Sequence, residues 1–454
     1  MNIKINESRC KELKTLTFRK GLHPHDHKGA TANCAVTELE ASQIMVYPLS
    51  QHIGAPCSPI VEVGQRVLAG QKIGDSDAFV SAPIHSSVSG TVKAIEPRPH
   101  PNGRKVMSVV VENDFLYEEH PDIYERRDLS NLTKDEKIAI IREAGLVGLG
   151  GAAFPTHIKL NPPEDKKIDC LIINGAECEP YLTSDYRVMI ETPSLIFKGI
   201  EMIKDILGVN KCVIGIEDNK PEAIGVMTEL AKSYPGTTVA ALKTKYPQGS
   251  EKHLIKAITG REVPSGKLPA DVGVVVNNID SCTAVYNALT YRKSVMTRIV
   301  TVSGSGVKKP SNFRVRIGTS FTDILTAAEC DFDNTKKIIM GGPMMGIAQV
   351  STEVPTIKGT SAILAFTDEE VNTPDTVNCV KCGECVAHCP MNLVPALLNS
   401  YAKINDTEKL TKLNIMDCIE CGICSYTCQC RNPITQNIKI AKAKIRELAA
   451  KKKQ

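Results

Sequence analysis

No apolar run in the chain approaches the roughly 18 residues needed to cross a bilayer, so the protein is expected to be soluble or held at a membrane by partners. Met1 to Lys14 is polar and charged, without the apolar stretch of a secretory leader. The 17 cysteines are therefore expected in a reducing compartment rather than in disulfides. Charge of one sign is also missing. Lys and Arg total 55 against 51 Asp and Glu, a formal +4, and no basic stripe interleaves with the aromatics, which make up only 4% of the chain. That excludes the electrostatic footprint of a nucleic-acid binder. What remains is 454 residues, too many for one core and enough for three or four domains.

The cysteines are unevenly spread. Cys10, Cys34, Cys57, Cys170, Cys178, Cys212, Cys282 and Cys330 are scattered and read mostly as small buried hydrophobes. The others crowd the C-terminal part, where Cys379-x2-Cys382-x2-Cys385-x3-Cys389-Pro390 is repeated as Cys418-x2-Cys421-x2-Cys424-x3-Cys428. This is the spacing of bacterial two-cluster ferredoxins, in which three thiolates wrap one 4Fe-4S cluster and the fourth points to its neighbour. Cys379, Cys382 and Cys385 should then pair with Cys428, and Cys418, Cys421 and Cys424 with Cys389. Zinc is disfavoured, because zinc sites split their ligands into two separated Cys-x2-Cys halves and have no use for a third cysteine. The second set has Gln429-Cys430 where a proline would follow, so Cys430 is a rival to Cys428.

Upstream, residues 45 to 112 alternate β-type runs with Gly and Pro turns: Ile44 to Leu49, Ile60 to Val63, Val67 to Leu68, Gly90 to Ile95 and Met107 to Val111. Val63-Gly64-Gln65-Arg66-Val67 and the stretch Ser81 to Gly90 resemble the barrel-sandwich of biotinyl and lipoyl carriers. The carrier lysine is absent from the expected tip, which leaves a structural or docking role.

From about residue 130 the pattern becomes α/β. Thr133 and Glu136 form a capping box before Ile138, Ile141 and Leu146. Gly148-Leu149-Gly150-Gly151-Ala152-Ala153-Phe154-Pro155 formally satisfies the dinucleotide fingerprint, but a helix precedes it and Pro155 follows, which that fingerprint does not allow. Such a loop still lets backbone N–H groups approach a phosphate or a flat ring, or it is only a flexible turn. Buried strands Asp169 to Ile173 and Gly273 to Asn277 each run into asparagine, at the carboxyl ends where open α/β sheets bind ligands. Lys211 to Ile216 and Thr238 to Leu242 read as further strands, with helices at Glu222 to Lys232 and Glu251 to Ala257.

Gly148 to Lys159 (GLGGAAFPTHIK), Asn174 to Arg187 (NGAECEPYLTSDYR), Tyr246 to Leu254 (YPQGSEKHL), Val276 to Asp280 (VNNID), Gly341 to Gly346 (GGPMMG) and Phe18 to Pro24, followed by the cysteine sets, resemble the RnfC family over nearly the whole chain. RnfC is the NADH-facing subunit of the membrane-bound, ion-translocating ferredoxin:NAD oxidoreductase, and the middle region is similar to the flavin-bearing, NADH-oxidising subunit of complex I. The resemblance implies FMN and NAD(H) beside two 4Fe-4S clusters. It places Gly148, Gly150, Gly151 and Lys159 against FMN, Asn174, Glu177 and Glu179 near its ring or ribityl chain, and Asn277 and Asn278 at its phosphate, with Phe154 and Glu251 holding NADH. It implies a peripheral position on the cytoplasmic side of the cell membrane, other Rnf subunits as partners, and ferredoxin reached through them.

There are departures. The complex I loop has arginine at the place of Leu149, an acidic residue at that of Ala176 and a Glu-Glu pair at Ser250-Glu251. The implied fold is multidomain α/β: a barrel-sandwich-like domain (1–125), a Rossmann-like FMN/NADH domain (126–294), a soluble-ligand-binding β-grasp domain (295–368) and a helical ferredoxin-like domain (369–454). His23, His25 and His27 read as a solvated turn rather than a metal site, and Ile438 to Leu448 as an amphipathic helix whose lysines offset its dipole. A soluble flavo-iron-sulfur NADH reductase serving another acceptor is the alternative function, and a scaffold without flavin the third.

Overall fold

The computed structural model describes residues 15–123, 126–371 and 375–451. Near the N-terminus an antiparallel sheet runs in the order Ile44–Pro48, Lys105–Asn113, Gly90–Pro99, Arg66–Val67, beside a second sheet of Ser58–Pro59, Lys72–Asp75 and Ile84–His85. Met45, Tyr47, Val67, Ile73, Ile84, Val109 and Val111 fill the space between them. The expected strand Ile60 to Val63 is absent. Gln65 accepts the Glu62 N–H through its side chain and Gly64 takes φ +88°, so those residues form the turn into Arg66–Val67. The segment Ser81 to Gly90 is buried throughout, and Ser87 there ties Tyr47 Oη to the carbonyl of Ile317. It is an internal joint between domains, not a mobile tip.

The α/β region is a parallel sheet in the order Thr237–Leu242, Cys212–Glu217, Cys170–Gly175, Val274–Asn278. Its strands are apolar on both faces, as a doubly covered parallel sheet requires. Leu171, Ile173, Ile214 and Ile216 pack toward the helices Lys134–Glu143, Pro193–Leu207 and Ile279–Tyr291, while Cys170, Ile172, Val213, Val274 and Val276 meet Leu254 and Ile255 of Glu251–Thr259. The Thr133–Glu136 capping box opens the first helix as the sequence predicts. The chain steps outward from Cys170–Gly175 through two strands and then returns to its other side with Val274–Asn278. The order therefore reverses between those two strands, and ligands of open α/β sheets bind at such switch points.

A mixed sheet follows, in the order Val36–Glu38, Ser311–Arg316, Thr297–Ser303, Ala362–Phe366, Lys337–Met340, Ile347–Gln349, with helix Phe321–Ala327 against it. Its edge strand Val36–Glu38 comes from far upstream, and Leu16 bridges to Leu242 at the edge of the parallel sheet. Residues 15 to 38 are thus a strap across three regions. The C-terminal part is helical, with Glu384–Ala387, Pro395–Lys403, Thr407–Lys412, Ile423–Tyr426 and Ile434–Lys451 around Leu398, Leu410, Ile415 and Ile438.

Gly199 sets the approach of Pro193–Leu207 to Ile279–Tyr291, because a Cβ there would lie 1.9 Å from the carbonyl oxygen of Cys282. Gly to Ala inside a helix normally stabilises by about 0.5–1 kcal/mol. Here the two helices would have to separate, so Gly199→Ala is expected to destabilise by about 1–3 kcal/mol and lower the thermal midpoint. A midpoint unchanged or raised would show that the helices do not meet this closely.

Candidate functional site

At the switch point Asn278 lies directly opposite Asn174 in the paired strands. Asn174 donates from Nδ2 to the carbonyl of Gly249 at 2.8 Å and accepts the Ala176 N–H at 3.1 Å, which fixes the mouth of the strand. Asn278 is the N-cap of Ile279–Tyr291, accepting from the N–H groups of Asp280 and Ser281 while its Nδ2 donates to Asp185 at 2.7 Å. Burial, with the charges of Glu177 and Asp280 adding, pushes the Asp185 carboxyl up to about 8.

The glycine loop closes between Val147 and Pro155 by a backbone bridge, with the Gly148 N–H bonded to the Phe154 carbonyl at 2.8 Å. Gly150 lies on Asn278, where a Cβ would meet its amide at 2.6 Å. Gly151 takes φ +143° and has nothing within 4 Å of where a Cβ would be, so its Cα faces open space. Behind the loop Lys159 Nζ bonds Glu251 Oε1 at 2.8 Å and the Val276 carbonyl at 2.9 Å, at the start of Glu251–Thr259. Gly148, Gly150, Gly151, Phe154, Lys159, Asn174, Glu251, Asn277 and Asn278 therefore gather around the strand ends.

Two polar side chains in this neighbourhood have no internal partner. Asn277, 4% exposed, leaves Nδ2 unbonded, and Gln248, fully buried, leaves both amide atoms unbonded. Buried amides without partners are costly unless a ligand or water meets them. Together with the open face of Gly151 and the N-terminus of Ile279–Tyr291, they suit a ligand with a phosphate and a flat ring bearing carbonyls, which FMN is.

Glu177 and Glu179 each have partners beyond the strand ends. Glu177, in the left-handed region at φ +48°, turns its carboxylate to the N–H groups of Asp185 and Tyr186 and caps Ser184–Glu191. Glu179 accepts from the N–H groups of Met344 and Met345 at 3.1 and 2.9 Å and from Tyr246 Oη at 3.4 Å. Its side chain leaves no room for a Cβ on Gly342, so it grips the turn Gly341 to Gly346 rather than the crevice. Burial pushes its carboxyl up to about 7 against the pull of those N–H groups. The strap contributes Lys28, which sequence reasoning missed: its buried ammonium donates to the carbonyls of Glu177, Glu179 and Leu182. A lone lysine in a histidine-rich segment carries no local sign of such a role.

The cysteine sets repeat in backbone as well as in sequence. Lys381 and Glu420 take φ +57° and +58°, Gly383 and Gly422 +86° and +83°, and the one-turn helices Glu384–Ala387 and Ile423–Tyr426 follow. Cys389, Cys418, Cys421 and Cys424 line one small cavity with Ile419, Ile423 and Ile438. Burial, with neighbouring thiols adding, raises Cys421 to about 12 and Cys424 to about 11 as free thiols, and metal coordination deprotonates a thiol outright. Cys385 has Cys428, Cys379 and Cys382 nearby. Cys424 also has Cys385 nearby, across the two groups. Among the described residues no three His, Cys, Asp or Glu side chains gather closely enough for one metal ion, whereas thiolates around a cubane stand farther apart.

Four family profiles cover the chain: the RnfC barrel sandwich hybrid domain over residues 16–116, the Nuo51 FMN-binding domain over 141–287, the SLBB domain over 299–348 and the 4Fe-4S dicluster domain over 372–429. A subunit of the proton-translocating ferredoxin:NAD(+) oxidoreductase complex of Clostridium ljungdahlii is 46% identical over 440 residues, which cover 96% of each chain. The chain belongs to the RnfC family. The corresponding subunit of the Na(+)-translocating ferredoxin:NAD(+) oxidoreductase complex of Acetobacterium woodii is 42% identical, covering 95% of this RnfC chain and 98% of that one. That of the ion-translocating oxidoreductase complex of Rhodobacter capsulatus is 40% identical, with 97% and 86% covered. Among solved structures, an NAD+-reducing [NiFe]-hydrogenase in the air-oxidized state overlaps 62% of this chain and 54% of its own, at TM-score 0.46 and 20% identity, too loosely to place any residue.

Gly151→Val puts a branched side chain where the backbone faces open space and φ favours glycine. It is expected to weaken FMN retention more than about tenfold while iron content stays unchanged. Full FMN occupancy would move the flavin from this loop. For Glu179 the sign is that of a raised carboxyl: the folded state holds the proton longer than the unfolded one. Its contribution is full below the unfolded value near 4.5 and is lost as pH rises through about 7. The thermal midpoint of the unmodified protein should therefore fall more steeply from pH 5 to 8 than that of Glu179→Gln, and parallel pH profiles would overturn this.

Proposed function

We propose that this RnfC chain is the NAD(H)-facing peripheral subunit of a membrane complex that couples electron transfer between ferredoxin and NAD to ion translocation. The observation that carries the reading is the joining, in one chain, of a flavin-type crevice at a sheet switch point to two cysteine sets docked beside it. FMN, when bound, is the converter between the hydride of NAD(H) and the single electrons of 4Fe-4S clusters. The glycines of the loop, Gly148, Gly150 and Gly151, let backbone N–H groups come close to it. Asn277, Asn278 and the helix N-terminus behind them favour its phosphate. Lys159, held by Glu251, supplies a fixed positive charge at the crevice wall, and Phe154 and Glu251 bound the space for NAD(H). Cys379, Cys382, Cys385 and Cys428 would hold one cluster, and Cys389, Cys418, Cys421 and Cys424 the other.

No helix among the described residues is long and apolar enough to cross a membrane. The relatives' names differ in the ion they move, proton in one and sodium in another. In this reading the ion path lies in other Rnf subunits, and this chain, on the cytoplasmic side, receives ferredoxin electrons through them. The domain division 1–125, 126–294, 295–368 and 369–454 is part of the same reading, with a Rossmann-like flavin domain and a β-grasp domain that braces its neighbours.

Anaerobically prepared protein is expected to hold one FMN with about eight irons and eight sulfides. In stopped flow NADH should bleach the flavin first and the cluster band second within one molecule. About four irons, or clusters reduced while flavin stays oxidised, would overturn the assignment.

A further inference from the structure

One short loop reaches from the flavin crevice to the cluster region. Tyr246, 1% exposed, donates from Oη to the carbonyl of Cys421 at 2.7 Å. Three residues on, Gly249 gives its N–H to Cys178 Sγ at 3.2 Å and its carbonyl to Asn174, which lines the crevice. His253 then bridges Ser250 Oγ at 3.0 Å and the carbonyl of Pro390, next to Cys389, at 3.2 Å. The strap holds the loop from outside. Leu22 pairs with Tyr246 through both backbone groups, the Gly21 N–H reaches the His388 carbonyl, and the Phe18 ring packs tilted against His253 at 4.6 Å. Leu22, Tyr246, Cys421 and Ile423 form a buried apolar cluster with Cys178 and Met344 packed against it.

Of the other set, Cys385 is followed by Val386, whose carbonyl accepts from Lys20 Nζ of the strap at 3.2 Å. Cys379 and Cys382 are exposed, and Val377 and Val380 beside them are 57% and 67% exposed. We infer that Tyr246 is a positioning residue that holds the cluster of Cys389, Cys418, Cys421 and Cys424 against the flavin crevice. That cluster is then the flavin's immediate electron partner, and the Cys379 cluster is the one that meets outside carriers. The inference rests on the flavin reading above. Its balance is simple: NADH becomes NAD+ with release of one proton and two electrons, and each of the two clusters takes one electron. Because tunnelling falls steeply with distance, a looser joint slows this transfer without touching hydride transfer.

The test is Tyr246→Phe, which keeps the ring and removes the donor to Cys421, with Tyr246→Leu as the stronger change. Flavin and iron content are measured first, then NADH reduction by stopped flow and the EPR of the reduced clusters. The signals are assigned by their loss in Cys418→Ser and Cys382→Ser. Expected for Tyr246→Phe are unchanged flavin and iron, flavin bleaching at the unmodified rate, and a changed EPR line for the Cys418 cluster alone. Cluster reduction should slow, by about tenfold in Tyr246→Leu, as for other groups that support a metal ligand. Cluster reduction at the unmodified rate in both variants, or a change confined to the Cys382 signal, overturns the inference. An unmodified protein that holds no FMN, or whose flavin NADH does not bleach, overturns the functional reading and this inference with it.

Discussion

The loop from Ala176 to Leu182 leaves the sheet without regular backbone pairing, and two buried ammonium groups keep it in place. Lys28 donates to the carbonyls of Glu177, Glu179 and Leu182, and Lys220 to that of Ala176. Burial alone would drive Lys28 toward neutrality, and the charges of Glu177 and Glu217 oppose it. Unpaired buried carbonyls cost as much as lost hydrogen bonds, so the loop holds its shape only while these lysines are seated. Everything at the junction hangs from it: Glu177 caps Ser184–Glu191, Cys178 receives the Gly249 N–H, and Glu179 holds the turn at Met344.

From that loop outward, neighbouring groups come close against glycine backbone. Gly342 must lack a Cβ to admit Glu179, Gly422 to admit the carbonyl of Met344, and Gly150 to admit Asn278. Close approach of this kind gives little freedom to slide, since a few tenths of an ångström already clash. The arrangement suits electron transfer, where a fixed separation matters more than affinity. It also explains why the turn Gly341 to Gly346 lies at the seam of three regions: it touches Glu179 on one side and the loop of Cys421 on the other.

What was legible in the sequence was local. The cysteine spacing, the Thr133–Glu136 capping box and the β-branched runs of the parallel sheet each encode their structure within a few residues. The gathering of Asn174 and Asn278 could be anticipated because both follow buried strands, although pairing continues through them. The strap could not. Val36–Glu38 joins a sheet whose partner strand begins at Ser311, and such long-range pairing leaves no periodic signature in a three-residue strand. Glu177 and Glu179 show the same limit: two carboxylates after a strand look like ligands for a crevice, and their bonds to the helix at Ser184 and the turn at Met344 have no local sign.

The departure at Leu149 shows how the loop can keep its shape without the arginine that the complex I loop carries there. Leu149 is 3% exposed, its N–H donates to Ser281 Oγ at 3.1 Å, and its carbonyl accepts from Arg298 Nη2 at 2.7 Å. Arg298 is itself buried and paired with Asp280, one residue past the N-terminus of Ile279–Tyr291. A guanidinium from the following domain thus fixes the loop from beneath, and planar donors of this kind set two partners at once. Arg298 ties the loop, the helix N-terminus and the sheet at Thr297–Ser303 together. The crevice is then defined jointly by the flavin domain and the domain after it, which is why the flavin domain's own residues give only part of its walls.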